Sequence, residues 1–533
     1  MIKSINKFTI FLCLLVISVS TFAASEAEFG RLSKAWTLNA DGSQEFRCSK
    51  ELTLFTHTAM NSTYGESFIV YNPQFQELKI HSSYTKQKDG TIVKTPENAF
   101  VEVLPRFAAD APSYNHLKEM VVVHTGLELG ATIYLDYSII TKAGYYPELD
   151  VYDVIQETSP IKECNITLSV PGNKSLAWDM TGKSSTPKES MTNGNKEIRW
   201  TLRNIPALPR EPFMPQNKDN LTTLTASTYG SLEKALASLD KEVKSTQDYE
   251  SKAFAEYLTE QASNDKEKVD ILQKHVVNNI ALSNVAPCYN GFKYRNADDV
   301  LRSAYGTAFE KSILLNSMLN AAGISSEVIV VVPAQRATNA CGQQIYKKVY
   351  LKTTINNQPY YLSAEKSGTL PLAWRTETDK IYSLSGTEIH VDALPVEINE
   401  SKELKVEANN AVGGIVICSL PKVSQGVDSW HMNSLNSQRK EIFELPSPIN
   451  EKVTYTVTPA KGLKLISSTE PAVLVKPCGK VSQTINLKGD KIEVVRTIAL
   501  NKLQITPSEY NDFRSLMNEW SDPNNSLLLF SAE

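Results

Sequence analysis

The spacing of apolar residues changes twice along this chain, and this change limits the fold more than any other feature. Residues 26–228 show short alternating stretches separated by turn dipeptides, such as residues 131–139, as expected for half-buried strands. Residues 229–384 have helical spacing, and strand patterns return over residues 385–533. The roughly 510 residues after position 23 are too many for one core. The sequence therefore predicts a β-sandwich-like N-terminal domain, an α+β middle domain and a small β-rich C-terminal domain.

Local signals place the elements of the middle region. A helix is predicted over 231–242, and Asn264 with Glu267 has the residue types that cap the start of another. Asn296 begins a short third helix, and Phe309–Ala322 forms a long apolar one. Strands follow over 327–332, 349–355 and 360–362, the last two joined by the hairpin signal Asn356-Asn357. In the C-terminal region, Thr506 as cap and Pro507 as first residue predict a helix running to Trp520.

The N-terminus has the pattern of a secretory signal peptide. Lys3 and Lys7 precede the apolar stretch Phe8–Val19, and small residues lie around Ala23. We therefore expect residues 1–23 to be a signal peptide and the protein to be exported, periplasmic or extracellular in a Gram-negative bacterium. No later stretch is long and apolar enough for a transmembrane segment. The remaining chain has 53 basic against 59 acidic residues, which argues against nucleic acid as a partner.

Six cysteines follow the signal peptide, two in each predicted domain: Cys48, Cys164, Cys288, Cys341, Cys418 and Cys478. In an oxidising compartment, one disulfide in each domain is the simplest pairing. The alternative is six buried free thiols. No cysteine or histidine cluster has zinc spacing, so neither a metal nor a cofactor is predicted.

A turn followed by a long apolar helix gives the middle region its most specific pattern. Ala304-Tyr305-Gly306 precedes the helix, Leu319–Ile324 ends it, and the valine-rich segment Val328–Val332 follows. This arrangement resembles the core of transglutaminase-like domains, which belong to the papain-like cysteine enzymes. The whole chain also resembles exported bacterial three-domain proteins, in which a β-rich domain of unknown function precedes such a core and a smaller β domain follows.

The resemblance implies a cysteine at the start of the helix, a histidine on the following strand pair and an acidic residue beyond it. A helix N-terminus stabilises the thiolate, the imidazole transfers the proton, and the acid orients the imidazole. At these positions the chain has Ala308, Lys348 and Ser363. Lys347 is the other candidate for the histidine position, and Glu365 lies two residues beyond the acid position. We therefore expect no catalytic residues of the family type.

Two cysteines and the charged start of the long helix are further candidates for chemistry. Cys288 or Cys341 could be a displaced nucleophile, but neither begins a helix, so a structural role is favoured. Glu310 and Lys311 are expected to lie in a solvated first helical turn.

Several aromatic residues could form a binding surface. The candidates near the cleft are Tyr305, Tyr360, Tyr361 and Trp374, which equally suit a core. The pair Tyr145-Tyr146 could bind sugar or peptide, although packing in the sandwich is favoured.

The sequence thus predicts a catalytically inactive transglutaminase-like protein that binds peptide, glycan or a partner protein through a vestigial cleft. Two alternatives stay open. One is an active cysteine peptidase or transamidase with a displaced nucleophile or a reactive Lys348. The other is a structural envelope or interaction protein in which the middle domain is a spacer.

Overall fold

The computed structural model describes residues 25–215, 217, 220–370, 372, 377–392, 394–408, 411–432, 435–468 and 472–532. The predicted signal peptide, residues 1–23, lies outside these residues, as does Trp374. Within the described residues, no helix combines the length and hydrophobicity needed to cross a bilayer.

The N-terminal region is built from strands. An eight-stranded sheet has the order β12-β13-β10-β1-β2-β8-β4-β5, and two three-stranded sheets have the orders β11-β14-β9 and β3-β7-β6. The strands are β1 (Ala27–Leu38), β2 (Gln44–Leu54), β3 (Glu66–Tyr71), β4 (Gln76–Lys86), β5 (Ile92–Lys94), β6 (Phe100–Val103), β7 (Lys118–Val123), β8 (Thr132–Thr141), β9 (Asp150–Val154), β10 (Ile161–Pro171), β11 (Ala177–Thr181), β12 (Lys188–Thr192), β13 (Asn195–Ile205) and β14 (Thr223–Ser227).

Both small sheets pack on the large sheet, which gives the region its sandwich character. Ile133 of β8 belongs to the core shared with β9 and β14, whereas Leu135 belongs to the core shared with β3 and β7. Since side chains two residues apart point to the same side of a strand, both small sheets cover one face of the large sheet. One pairing, β1 with β10, is parallel rather than antiparallel.

Among its described residues, the middle region has five α-helices around a mixed core. A five-stranded sheet has the order β19-β18-β17-β20-β21, and β15 pairs with β16. The elements are α1 (Leu232–Lys244), α2 (Tyr249–Thr259), α3 (Asp265–Asn279), β15 (Ala281–Leu282), α4 (Ala297–Ser303), β16 (Tyr305–Gly306), α5 (Ala308–Ala321), β17 (Ser326–Pro333), β18 (Lys348–Ile355), β19 (Gln358–Leu362), β20 (Asp379–Ser383) and β21 (Glu388–Ile389).

The local signals of the middle region form the expected structures. The Asn264 side chain accepts a hydrogen bond from the Glu267 amide at 3.0 Å and begins α3. Asn296 caps α4 in the same way. Asn356 and Asn357 both adopt positive φ angles, 50° and 61°, which the tight turn between β18 and β19 requires.

The C-terminal region again consists mainly of strands. Its sheets have the orders β22-β25-β29-β28-β27, β23-β31-β26 and β24-β30. The elements are β22 (Val396–Val406), β23 (Ile415–Ser419), β24 (Phe443–Glu444), β25 (Ile449–Pro459), β26 (Leu463–Ser468), β27 (Ala472–Lys476), β28 (Gly479–Lys488), β29 (Lys491–Leu500), β30 (Gln504–Ile505), α6 (Tyr510–Ser521) and β31 (Leu527–Ala532).

The predicted start of the last helix is wrong. The helix α6 begins at Tyr510, three residues after Pro507. The Glu509 carboxylate instead accepts hydrogen bonds from the Thr506 amide and hydroxyl, at 3.2 and 2.9 Å. This closes a turn before the helix.

The predicted disulfides are also wrong, because all six cysteines are free thiols. Cys48 and Cys164 lie on β2 and β10, and β1 separates these two strands. In the register of the sheet, Cys48 lies opposite Lys34 of β1, and Cys164 lies opposite Leu32 of β1. Two strand spacings alone separate their Cα atoms by about 9–10 Å, and the two-residue offset along β1 adds to this, so the pair is beyond the reach of a disulfide.

The other two predicted bridges are equally absent. Cys418 lies on β23, in the three-stranded sheet, whereas Cys478 lies in the turn between β27 and β28 of the five-stranded sheet. Cys341 is fully buried, and its thiol lies 3.6 Å from the Gly342 carbonyl oxygen. Cys288 lies in the short turn Pro287–Asn290.

Candidate functional site

A cleft of about 230 Å³ opens at the N-terminal end of α5. Ala308 lies on one side, Lys348 at the start of β18 lies on another, and Glu365 contributes from the loop after β19. Leu282 at the end of β15 and the next three residues, to Val285, form a further wall. The structure therefore brings together two of the three predicted positions, with Glu365 close to the third.

The helix α5 begins at Ala308 because the residues around it form a complete cap. The Thr307 side chain accepts a hydrogen bond from the Glu310 amide, and the Glu310 carboxylate accepts one from the Thr307 amide at 2.9 Å. This reciprocal arrangement satisfies two backbone N–H groups that the helix itself leaves unpaired. It fixes Ala308 as the first helical residue, where a family nucleophile would benefit from the positive end of the helix dipole.

Glu310 does more than cap the helix, and the expectation that it is solvated is wrong. Its side chain is fully buried and forms an ion pair with Arg295 at 3.0 Å. It also accepts a hydrogen bond from the Tyr114 hydroxyl at 2.7 Å. Tyr114 belongs to the N-terminal region, so a buried charge network connects that region to the start of α5.

Tyr305 does not face the cleft. It is 9% exposed, packs in a small apolar cluster with Tyr114 and Val285, and lies under the Arg295 guanidinium at 4.3 Å. Its hydroxyl accepts a hydrogen bond from the Ser113 amide at 2.7 Å. Tyr305 therefore stabilises the junction between the two regions.

The two lysines at the histidine position have different environments. Lys347 forms an ion pair with the buried Asp379 at 3.0 Å, so its ammonium group is held by β20. Lys348 is exposed, lines the cleft and has no ion pair with any described residue. Lys348 is therefore the cation available to a ligand in the cleft.

The residue at the acid position does not line the cleft. Ser363 is buried, and its hydroxyl accepts a hydrogen bond from the Glu365 amide at 3.0 Å. This turn places Glu365 in the cleft lining. A carboxylate is thus present near the expected place, two residues later in the sequence.

A buried lysine lies beneath the cleft, contrary to the expected solvated helical turn. Lys311 is 2% exposed, and its ammonium group donates to the Ile280 carbonyl at 2.6 Å. Burial lowers the pKa of Lys311, and the negative charge of Glu365 opposes this effect. Glu365 therefore compensates one buried charge while facing the cleft.

Neither candidate displaced nucleophile lies in this cleft. Cys288 lines a separate cavity between the N-terminal and middle regions, and Cys341 is fully buried. Burial raises the pKa of the Cys288 thiol to about 11 and holds that of Cys341 well above its ordinary value. Both thiols are protonated near neutral pH. His275 of the middle region and His390, shortly after its end, are absent from the cleft lining.

Tyr360 and Tyr361 do not line the cleft either. Tyr360 packs against the helical core, and Tyr361 packs against the opposite face of the sheet. Tyr360 and Tyr361 are consecutive residues of β19, and consecutive side chains of a strand lie on opposite faces of the sheet. Trp374 lies outside the described residues.

Comparison with known families and structures gives the domain order. Residues 40–209 match a domain of unknown function (DUF3857), residues 252–361 match the Transglutaminase-like superfamily, and residues 415–530 match a second domain of unknown function (DUF3858). A crystal structure from Parabacteroides distasonis, described as a "putative protease", is 58% identical, with a TM-score of 0.89 over 95% of this chain and 99% of that chain. This chain belongs to the transglutaminase-like superfamily. Within it, the chain has the three-domain layout that the resemblance implied.

Two further solved structures are similar to less than half of this chain. An M1 zinc metallopeptidase from Deinococcus radiodurans is 13% identical over 38% of this chain and 42% of that chain, with a TM-score of 0.21. A "putative cysteine protease" from Cytophaga hutchinsonii is 11% identical over 45% of this chain and 84% of that chain, with a TM-score of 0.20. Scores this low carry no argument about function. No curated protein matches the chain.

Sequence reasoning missed the buried network around Glu310. The spacing Thr307-x-x-Glu310 is a capping-box signal that could have been read from the sequence. The contribution of Tyr114 had no such signal, because that residue lies 196 positions away.

Proposed function

We propose that this transglutaminase-like protein is catalytically inactive and binds a ligand in the cleft at the N-terminus of α5. The observation that carries the proposal is Ala308 at the capped start of that helix. Lys348 and Glu365 line the cleft beside it, together with Lys347, which is paired with Asp379. A methyl group cannot attack a carbonyl carbon, and no imidazole lines the cleft to transfer a proton. The capping and the walls of the cleft do not depend on a nucleophile.

The favoured ligand is an extended peptide segment. The cleft is lined by apolar residues such as Val285 and Phe309, with Lys348 and Glu365 as charged anchors of opposite sign. Such a lining suits a peptide side chain together with the polar backbone around it. Glycans and the surface of a folded partner protein are the alternatives.

A second candidate function is proteolysis, and the observation that favours it is the description of the 58% identical relative as a "putative protease". Here the chemistry would need Lys348 in the cleft, or Cys288 or Cys341 away from it. The protonated state of both thiols and the absence of histidine from the cleft lining favour binding over turnover.

Turnover is tested first. The purified protein is incubated with a mixed peptide library, and hydrolysis or amide transfer is followed by mass spectrometry alongside Lys348→Ala, Cys288→Ser and Cys341→Ser variants. We expect the same background for all four proteins. Turnover that one of these substitutions abolishes would show an enzyme and overturn the proposal.

Binding is tested with a variant that fills the cleft. Ala308→Trp places an indole in the cleft, and Ala237→Trp, on the exposed side of α1, is the matched control. Peptide and glycan arrays are probed with each protein. We expect peptide binding that falls at least tenfold in Ala308→Trp and stays unchanged in Ala237→Trp. Equal binding by both variants would place the ligand elsewhere.

We further propose that the protein is exported after removal of residues 1–23, as the charged and apolar pattern of that segment suggests. We also retain residues 26–228, 229–384 and 385–533 as domain boundaries. N-terminal sequencing of the mature protein tests the first point, with Ala24 as the expected first residue. An intact Met1 in a cytoplasmic fraction would contradict it.

A further inference from the structure

A second cavity, of about 180 Å³, lies between the large N-terminal sheet and the middle region. Trp36, Phe46 and Ile139 occupy one cross-strand row of β1, β2 and β8 and line one side. Phe292 of the middle region lines the cavity as well. The cavity therefore exists only when the two regions are packed together, and much of its lining is aromatic.

Three carboxylates line this cavity, and two of them, Glu45 and Asp150, form no ion pair with a described residue. Glu45 accepts a hydrogen bond from the Ser138 hydroxyl at 2.6 Å on the sheet side, whereas Asp150 lies at the contact with the middle region. Asp150 accepts a hydrogen bond from the Gln344 amide at 3.2 Å, and the Gln344 side chain donates to the Asp150 carbonyl at 2.6 Å. No described lysine, arginine or histidine lies within ion-pair distance of Asp150. The neighbouring Glu148, by contrast, pairs with Lys174 at 3.2 Å. A poorly solvated carboxylate without a cation is unfavourable, so this site is suited to receiving one.

We propose that this interdomain cavity binds a small organic cation, with its ammonium group at Asp150 and its apolar body against the aromatic residues. The face of an aromatic ring attracts an ammonium group, which adds to the attraction of the carboxylate. A bare metal ion fits poorly, since no group of three or more metal-ligating side chains occurs among the described residues. The site is separate from the cleft at α5 and does not depend on the function proposed for that cleft.

The ionisation of Asp150 gives the proposal a second readout. Burial raises the pKa of Asp150 to about 7, and hydrogen bonds from the Gln344 and Gln343 amides oppose this. The titratable groups that sense its charge are the Cys288 and Cys341 thiols and the Tyr229 phenol, each with a raised pKa. These three groups are neutral at pH 7. A bound cation should therefore ionise Asp150 and release a proton.

Calorimetric titration with 2-phenylethylamine tests the proposal, with the neutral 2-phenylethanol as the matched probe. Titrations at pH 7 in two buffers of different ionisation enthalpy measure proton release. The full-length protein is compared with Asp150→Asn, which retains the oxygen that accepts from Gln344. The control is Asp490→Asn, at an exposed turn of the C-terminal region. Phe292→Leu tests the aromatic contribution without altering charge.

We expect the amine to bind at least tenfold more tightly than the alcohol and to release a fraction of a proton. Affinity for the amine should fall at least tenfold in Asp150→Asn and less in Phe292→Leu, with no change in Asp490→Asn. Equal affinity for amine and alcohol, or amine binding that Asp150→Asn leaves unchanged, would overturn the proposal. So would an absence of amine binding, which would mean that Asp150 serves only to hold the Gln343–Ile345 turn. If Asp150→Asn misfolds, the comparison of amine and alcohol and the proton release still decide.

Discussion

The ion pair between Arg295 and Glu310 should be essential to the stability of the middle region. The Glu310 side chain is fully buried and that of Arg295 is 13% exposed. The carboxylate accepts from the Arg295 guanidinium at 3.0 Å, the Arg295 amide at 2.9 Å and the Tyr114 hydroxyl at 2.7 Å. Glu310→Gln removes the charge while glutamine can still complete the capping box with Thr307. The variant therefore isolates the electrostatic contribution from that of the cap.

Removing one partner of a buried ion pair costs about 3–5 kcal/mol, because the other charge is left without compensation. We expect Glu310→Gln to lower the free energy of unfolding by that amount. In an Arg295→Met background the buried Glu310 carboxylate is itself left without a cation, so the same substitution should cost close to nothing or be stabilising. The double-mutant cycle thus predicts a coupling energy of at least about 3 kcal/mol between the two residues.

Urea denaturation followed by circular dichroism measures the four proteins of this cycle, and hydrogen exchange of α5 amides assigns the change to the middle region. The second measurement is needed because a three-domain chain need not unfold in one step. A coupling energy below about 1 kcal/mol, or equal losses of protection throughout the N-terminal sheet and α5, would refute the reasoning. Such a result would mean that water compensates the Arg295 charge.

Three further outcomes follow from the structure. Alkylation of denatured, unreduced protein lacking residues 1–23 should modify all six cysteines; an unmodified pair of cysteines would contradict the free-thiol assignment. Burial raises the pKa of Glu451 to about 7, so the folded state binds its proton more tightly than the unfolded state does. The free energy of unfolding should therefore fall as pH rises from about 4.5 to 7, by on the order of 3 kcal/mol from this group. Urea titrations should show a weaker pH dependence of that free energy for Glu451→Gln, and an unchanged pH dependence would refute this. Gly342→Ala should lower the free energy of unfolding by about 1–3 kcal/mol, since the new Cβ would lie 2.1 Å from an Asp150 oxygen. Gly30→Ala, whose Cβ would have its nearest neighbour at 3.9 Å, should be close to neutral. Thermal melts compare the two variants, and equal effects would contradict the steric argument.

Elements whose signals are local could be predicted from the sequence. Asn264 and Glu267 form the predicted cap because both partners lie within one helical turn. Asn356 and Asn357 form the predicted hairpin because their residue type tolerates positive φ. The start of α6 was misplaced for a related reason. Thr506 and Glu509 do bond to each other as cap residues would, but the residues between them form a turn and the helix begins only at Tyr510.

Features that depend on distant partners could not be predicted in this way. The disulfide prediction placed one pair of cysteines in each domain, but the strand order sets β1 between Cys48 and Cys164. Likewise, Glu310 and Lys311 have the charges of a solvated helical turn, yet both are buried. Their burial depends on Tyr114 and on the backbone at Ile280, contacts that no periodicity along α5 encodes.

The candidate site depends both on local sequence signals and on contacts between residues that are distant in the sequence. Ala308 and Lys348 meet because the topology of the middle region fixes the start of α5 beside the start of β18, and resemblance to the superfamily supplies that topology. Glu365 enters the cleft for a different reason, since the loop after β19 turns on the Ser363 hydroxyl. Glu310 and Arg295 compensate each other's charge within the fold, and the Lys311 ammonium group donates to the Ile280 carbonyl, independently of any nucleophile. The cap at the start of α5 is formed by Thr307 and Glu310 and not by the side chain at position 308, so it acts with alanine there as it would with cysteine, and the position of this helix start does not require a thiol.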